Sequence, residues 1–194
     1  MRETGSGESA ATAPDVEIWL GAIVCDDRAA IDLILREVAL DLKKRGIKVA
    51  GLVQAETCEA SGSPKLALWD IASERTMPIG QNLGKGSHGC RLDTSRLSAA
   101  SEELERQLDD SIELVIVNRF GKVEAEGRGL RSVICDAALR GIPVLLTVQT
   151  THEDAWQEFE AGLAQPLAPA REAILAWCEA ALATGRRRGH APVQ

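Results

Sequence analysis

The chain has 194 residues, 45% hydrophobic and 26% charged, with a formal charge of -7. That length suits one α/β domain rather than two, and the acidity excludes general affinity for nucleic acid, whose phosphates a negative surface repels. Five cysteines, Cys25, Cys58, Cys90, Cys135 and Cys178, lack CxxC spacing, which fits neither a disulfide framework nor a structural zinc site and is simplest in a reducing cytoplasm.

Residues 1–14 contain no apolar core of signal-peptide length and are expected to be disordered. No later segment holds the ~18 uninterrupted apolar residues of a membrane span. A single α/β domain is expected over residues 15–184, followed by a basic tail over 185–194 that carries Arg186 to Arg188 and His190. Val16 to Cys25 is β-branched and apolar, as in a strand covered on both faces. Asp26 or Asp27 can cap the next segment, in which Ile31, Ile34, Leu35, Val38 and Leu42 recur at helical spacing before Gly46. Ile47 to Gln54 reads as a second strand and KLALWDIAS, from Lys65, as a short one. Pro78 to Gly89 carries four glycines without periodicity and reads as an insertion or binding loop.

From Thr94 a helical stripe returns, with Leu97, Ala100, Leu104 and Leu108. Then come ELVIVNRF from Glu113, the turn GKVEAEGRG, the helical LRSVICDAALRG and the apolar IPVLLTVQ, ending at Gln149. This run is a βαβ unit. Parallel strands gather ligands where the chain leaves their carboxyl ends, here Asn118 to Arg128. Thr151 resembles a helix cap with Asp154 three residues on, Trp156 and Phe159 fall on neighbouring turns, and a last helix spans about Pro169 to Ala183 with Ile174, Trp177, Cys178 and Leu182 inward.

The order strand, helix, RGIKVAGLVQ, loop, helix, VIVNRFGKVEAEGRG, helix and GIPVLLTV, from about Val16 to Gln149, resembles the short P-loop nucleoside-triphosphatases first recognised in thermophiles. The resemblance implies a three-layer, P-loop-NTPase-like parallel sheet with flanking helices, in which Val16 to Cys25 lies beside Glu113 to Phe120 at the centre. GIKVAGLVQ, GCRLD, VNRFGKVEAEGRG and WQEFEAGLAQPL also look like an uncharacterised bacterial family of unknown function that is commonly encoded beside molybdenum-uptake and molybdenum-enzyme genes.

The phosphate loop is degenerate. GxxxxGK[ST] supplies amides, a lysine and a magnesium-binding hydroxyl, whereas here Gly21 is expected to begin the loop, Cys25, Asp26, Asp27 and Arg28 come after it, and two carboxylates take up the positive helix end that phosphate would use. At the end of the later strand, Asn118 and Arg119 replace the carboxylates that would orient magnesium and water. An arginine there needs an acidic partner or an anionic ligand, and Glu124 or Glu126 is the partner within reach in sequence.

A second constellation, GKGSHGCRLD, offers Lys85, Ser87, His88, Cys90 and Arg91 on a glycine-permitted backbone, which suits a tetrahedral oxyanion or a phosphate group. Its bland alternative is a surface loop in which Arg91 pairs with Asp93. His88 and Cys90 would need His152 and Cys58 from afar to hold a metal. Cys135 and Cys178 read as small core residues.

The expected ligand set is therefore Lys85, Ser87, His88, Cys90, Arg91, Asn118, Arg119, Lys122 and Arg128, with no catalytic residue and no metal site. The expected ligand is molybdate, tungstate or a nucleotide-like molecule, bound without hydrolysis. The implied partners are molybdenum-enzyme or transport proteins, or a second copy of the chain, with no nucleic acid and no membrane. Two alternatives compete with this reading. One is a nucleoside-triphosphatase or nucleotide transferase with Lys122 on phosphate and Glu124 or Glu126 as base; the other is an adaptor whose Trp156, Phe159 and Trp177 face a partner.

Overall fold

Apolar runs bounded by turn residues become strands β1 (Leu20–Val24), β2 (Val49–Cys58), β3 (Pro64–Asp70), β4 (Thr76–Pro78), β5 (Leu114–Phe120), β6 (Val144–Val148) and β7 (Ala164–Pro166) in the computed structural model, which describes residues 17–58, 64–81 and 92–188. Between them lie helices α1 (Arg28–Lys44), α2 (Thr94–Gln107), the single turn α3 (Lys122–Ala125), α4 (Arg131–Leu139), α5 (Glu153–Glu160) and α6 (Arg171–Arg188). The strands form one sheet in the order β4-β3-β2-β5-β6-β1-β7. Five run parallel, from β2 to β7, and β3 and β4 extend the β2 edge as an antiparallel hairpin. The sheet is thus mixed rather than wholly parallel. No helix among the described residues is long and apolar enough to cross a membrane.

Successive side chains of a strand point to opposite faces, and the two faces carry two separate cores. Leu114 and Ile116 of β5 pack with Ile31, Leu35 and Val38 of α1 and with Ile174, Trp177 and Cys178 of α6. Val115 and Val117 pack with Leu97 and Leu104 of α2, Val133 and Ile134 of α4 and Trp156 of α5. The chain moves one way along the sheet from β1 to β2 and the other way from β2 through β5 and β6 to β7, and right-handed crossovers therefore place their helices on opposite faces.

One expected adjacency is overturned. β1 pairs with β6 (Leu20 opposite Val144) and with β7 (Leu20 opposite Ala164), so β6 separates it from β5. Strands buried on both faces carry no alternation that names a neighbour, and by pattern β1 and β6 are interchangeable. The chain leaves β1 for α1 on one face and leaves β6 for α5 on the other. The switch point, where such sheets open a crevice, is thus between the carboxyl ends of β1 and β6.

Only Cys25, Asp26 and Asp27 link β1 to α1, and Asp27 caps the helix by accepting from the Ala30 amide at 3.2 Å. Gly21 does not begin a loop. It lies inside β1, where a β-carbon would meet the Trp177 ring at 2.8 Å. Nor does Thr151 cap α5, which has no side-chain cap; a 3-10 turn precedes it, and the Thr150 hydroxyl instead donates to Asp26 across the switch point. Strands β4 and β7, three residues each, have no clear sequence signal. Helix α6 runs on to Arg188, so it includes the first part of the segment expected to be tail.

Gly51 is held where no other residue fits. Its φ is +144°, and a β-carbon there would stand 2.0 Å from the Ile116 carbonyl oxygen of β5. Gly46, with φ +82° after α1, has nothing within 4 Å of the same position. Gly51→Ala is expected to lower the unfolding free energy by more than ~3 kcal/mol and Gly46→Ala by about 1 kcal/mol, as read by urea denaturation, because only the first adds a backbone clash to the strained dihedral.

Candidate functional site

The pairing of β5 with β6 shifts register between Val117 and Phe120, and the Asn118–Arg119 peptide within that stretch is cis. Phe120 anchors the far side of the shift against Trp156 at 5.2 Å and Phe159 at 5.5 Å between ring centroids. Trp156 and Trp177 are buried, which removes the aromatic partner surface of the adaptor alternative.

Asn118 is buried and its amide is held from both ends. Its Oδ1 accepts from the Thr147 hydroxyl of β6 at 2.8 Å, and its Nδ2 donates to Asp32 of α1. Arg119 donates from Nη2 to Gln54 Oε1 of β2 at 2.8 Å and to both carboxylate oxygens of Asp32 at 3.3 Å. The Arg119 and Asp32 side chains are 14% and 15% exposed, and a charge so sheltered requires a counter-charge. That counter-charge is Asp32, not Glu124 or Glu126. Burial holds the Arg119 pKa below its ordinary value, with Arg28 adding to the effect and Asp32 and Cys25 opposing it. Arginine nevertheless stays cationic at neutral pH.

A guanidinium carries five N–H groups. Those of Nε and Nη1 meet no protein acceptor among the described residues, and neither nitrogen is sealed from solvent. Nη2, the nitrogen common to both paired edges of the fork, is therefore spent on Asp32 and Gln54, while the N–H groups of Nε and Nη1, which point to different sides, are not. Cys25 and Arg28, whose charges act on Arg119, stand at the end of β1 and the start of α1, so the guanidinium borders the switch-point crevice. Burial raises the pKa of the Cys25 thiol, with Arg119 partly opposing it, so Cys25 is not an activated nucleophile.

The turn after Arg119 is built around Glu124. Its buried carboxylate accepts from the Gly121 amide at 3.0 Å and the Leu130 amide at 3.1 Å, and burial raises its pKa against those backbone bonds. Lys122 and Arg128 are not brought to Arg119. They sit on the surface, 78% and 59% exposed, and face Glu126 at 3.9 and 2.5 Å. The expected concentration of positive charge is thus absent among the described residues, since Arg119, Lys122 and Arg128 each face a carboxylate.

Lys85, Ser87, His88, Cys90 and Arg91 lie outside the described residues. The chain on either side of them is joined by a Gly80–Leu92 bridge just after β4, which runs parallel to β5. Three strand spacings separate the two strands, about 14 Å, along the same carboxyl edge. Asp93 caps α2 through the Ser95 and Arg96 amides and pairs with Arg96 at 3.3 Å. No group of three or more metal-ligating residues occurs among the described residues. Cys178 is buried, with its pKa pushed up to about 12, whereas Cys135 is exposed on α4 and is not the core residue expected.

Sequence reasoning missed Asp32, Gln54 and Thr147. Thr147, the one polar residue of VLLTV, and Asp32, a charge beside the apolar stripe of α1, are the signals that pointed to them. The structural role of the turn gives a contrast. Glu124→Ala orphans two buried amides and is expected to cost about 2–6 kcal/mol of stability by urea denaturation, at ~1–3 kcal/mol each, while Lys122→Ala costs less than ~0.5 kcal/mol.

The fold is that of the nucleoside-triphosphatases: the solution structure of a human cancer-related nucleoside triphosphatase superposes with a TM-score of 0.58, covering 90% of this chain and 100% of that one at 12% identity. The molybdenum import ATP-binding protein ModC 2 of Bradyrhizobium diazoefficiens is 33% identical over 159 residues, 81% of this chain, though the chain spans only 18% of that relative's length. A family model described as a protein of unknown function, DUF2478, matches residues 20–177, from β1 into α6, and the chain belongs to that family.

Proposed function

We propose that this protein binds a small tetrahedral oxyanion of the molybdate or tungstate kind, or a nucleotide-like ligand bearing such a group, without hydrolysing nucleoside triphosphates, and that it serves molybdenum homeostasis. The observation that carries the reading is Arg119: a sheltered guanidinium bordering the switch point, whose Nε and Nη1 N–H groups meet no protein acceptor among the described residues. Free guanidinium N–H groups give charge-assisted hydrogen bonds to oxyanions. Asn118 holds the strand end in place beside it, and Lys85, Ser87, His88, Cys90 and Arg91, outside the described residues, complete the proposed donor set. Lys122 and Arg128, paired with Glu126, contribute only a screened attraction from outside.

The absence of hydrolysis is supported by the link between β1 and α1. A phosphate-wrapping loop takes about eight residues, with a lysine and a hydroxyl at its end, whereas three residues join these elements and two of them are aspartates. The enzymatic alternative is weaker, because Glu124, one of its two candidate bases, is engaged by two backbone amides, and the other, Glu126, faces Lys122 and Arg128. The connection to molybdenum rests on the likeness to a molybdenum import protein.

Calorimetric titration with molybdate, tungstate, sulfate, phosphate, ATP and GTP, with and without magnesium, tests the proposal. An oxyanion is expected to bind, and Arg119→Ala to weaken it by roughly 1.5–3 kcal/mol, the loss for a charge-assisted hydrogen bond, with the fold intact by circular dichroism. Phosphate release from ATP or GTP is expected at the buffer rate. Turnover above ~0.01 per second that disappears in Lys122→Ala, or no oxyanion binding at all, would overturn it.

A further inference from the structure

Asp32 already presents an anion to the groups that the proposed ligand would use. It lies in the second turn of α1, between the buried Ile31 and Leu35 on the helix, so its position is set by packing on the sheet and not by a loop. Its carboxylate accepts from the Asn118 amide and from Nη2 of Arg119. Nη2 stands 3.3 Å from both oxygens, yet 2.8 Å from the neutral Gln54 oxygen. Charge-assisted bonds of this type close to about 2.7–2.9 Å when the partners are free to optimise. The ion pair is therefore longer than an optimised one, with Nη2 shared between Asp32 and Gln54 and the carboxylate shared with Asn118. A mobile dianion can approach the Nε or Nη1 N–H groups that Asp32 and Gln54 leave free, but it does so against the charge of Asp32.

We propose that Asp32 is an internal counter-anion that competes with the oxyanion for Arg119 and Asn118 and so sets the affinity of the site. This rests on the oxyanion reading above. Arg119 in this arrangement is never without a negative partner. Occupancy by ligand exchanges part of its interaction with α1 for interaction with the ligand, and the site releases its ligand readily because the carboxylate remains beside it.

The experiment is calorimetric titration of the full chain with sodium molybdate at fixed ionic strength, comparing wild type, Asp32→Asn, Arg119→Ala and the double variant. Asparagine keeps the size of Asp32 and an acceptor for Asn118 while removing the charge. Asp32→Asn is expected to bind molybdate about 10- to 100-fold more tightly than wild type, the effect of deleting a like charge a few ångströms from the ligand. The gain should vanish when Arg119→Ala is added. Tight binding by Asp32→Asn with none by wild type supports the inference and the oxyanion reading together. Equal or weaker binding by Asp32→Asn, with Arg119→Ala still weakening wild type, overturns the competition and leaves the oxyanion reading standing. No binding by any variant overturns both. If Asp32→Asn does not fold, Asp32→Ser, too short to reach Arg119, replaces it. Loss of the fold in both would also overturn the inference, since Asp32 would then be a structural counter-ion that no ligand displaces.

Discussion

β5 and β6 are covered on both faces, and that burial constrains everything around them. Leu114 to Val117 and Val144 to Val148 offer apolar side chains to two helix layers at once, with Thr147 the exception. Each buried aliphatic side chain contributes about 1.5–3 kcal/mol, so these strands form the stable centre of the domain. Polar chemistry is admitted only where the strands end. Asn118, still buried, and Arg119 stand near the carboxyl end of β5, and their partners come from three other elements: Asp32 of α1, Gln54 of β2 and Thr147 of β6.

The start of the first helix differs from a P-loop. In a P-loop the helix after β1 turns its amino end toward a ligand, and the positive end of the dipole is spent on phosphate. Here the first helix begins after three residues, Asp27 satisfies an amide of its first turn, and Asp26 is bound by Thr150 across the crevice. The negative charge at the helix start is built in. In the proposed reading, Arg119 takes the electropositive role that a P-loop lysine and helix end would share, from β5 on the other side of the crevice.

The turn that follows is rigid for a separate reason. Glu124 ties Gly121 to Leu130, while Phe120 stacks on Phe159, over which Arg131 places its guanidinium at 4.3 Å. Aromatic and backbone contacts thus fix both sides of Arg119 without using its charge. The buried carboxylate of Glu124 is a structural brace, although its raised pKa alone resembles that of a general acid. Geometry separates the two roles: both its oxygens are engaged by backbone amides.

Local periodicity determined a large share of this architecture. The alternation of apolar strands with helical stripes at Ile31, Leu35, Val38 and Leu42, and at Leu97, Ala100 and Leu104, was legible because burial on a covered sheet leaves a pattern in any sequence that achieves it. The turn from Asn118 to Arg128 was legible as a strand end for the same reason. Strand order was not: β1 and β6 are both buried, mostly apolar runs, and crossover geometry rather than pattern placed β6 between β1 and β5. Nor was the partner of Arg119, because Glu124 and Glu126 are near it in sequence whereas Asp32 is 87 residues away and is brought near only when α1 packs on the sheet. Sequence distance carries no electrostatic information once a helix and a strand are packed together. The residue types at the site were therefore determined locally, and which charges face one another was decided by the tertiary structure.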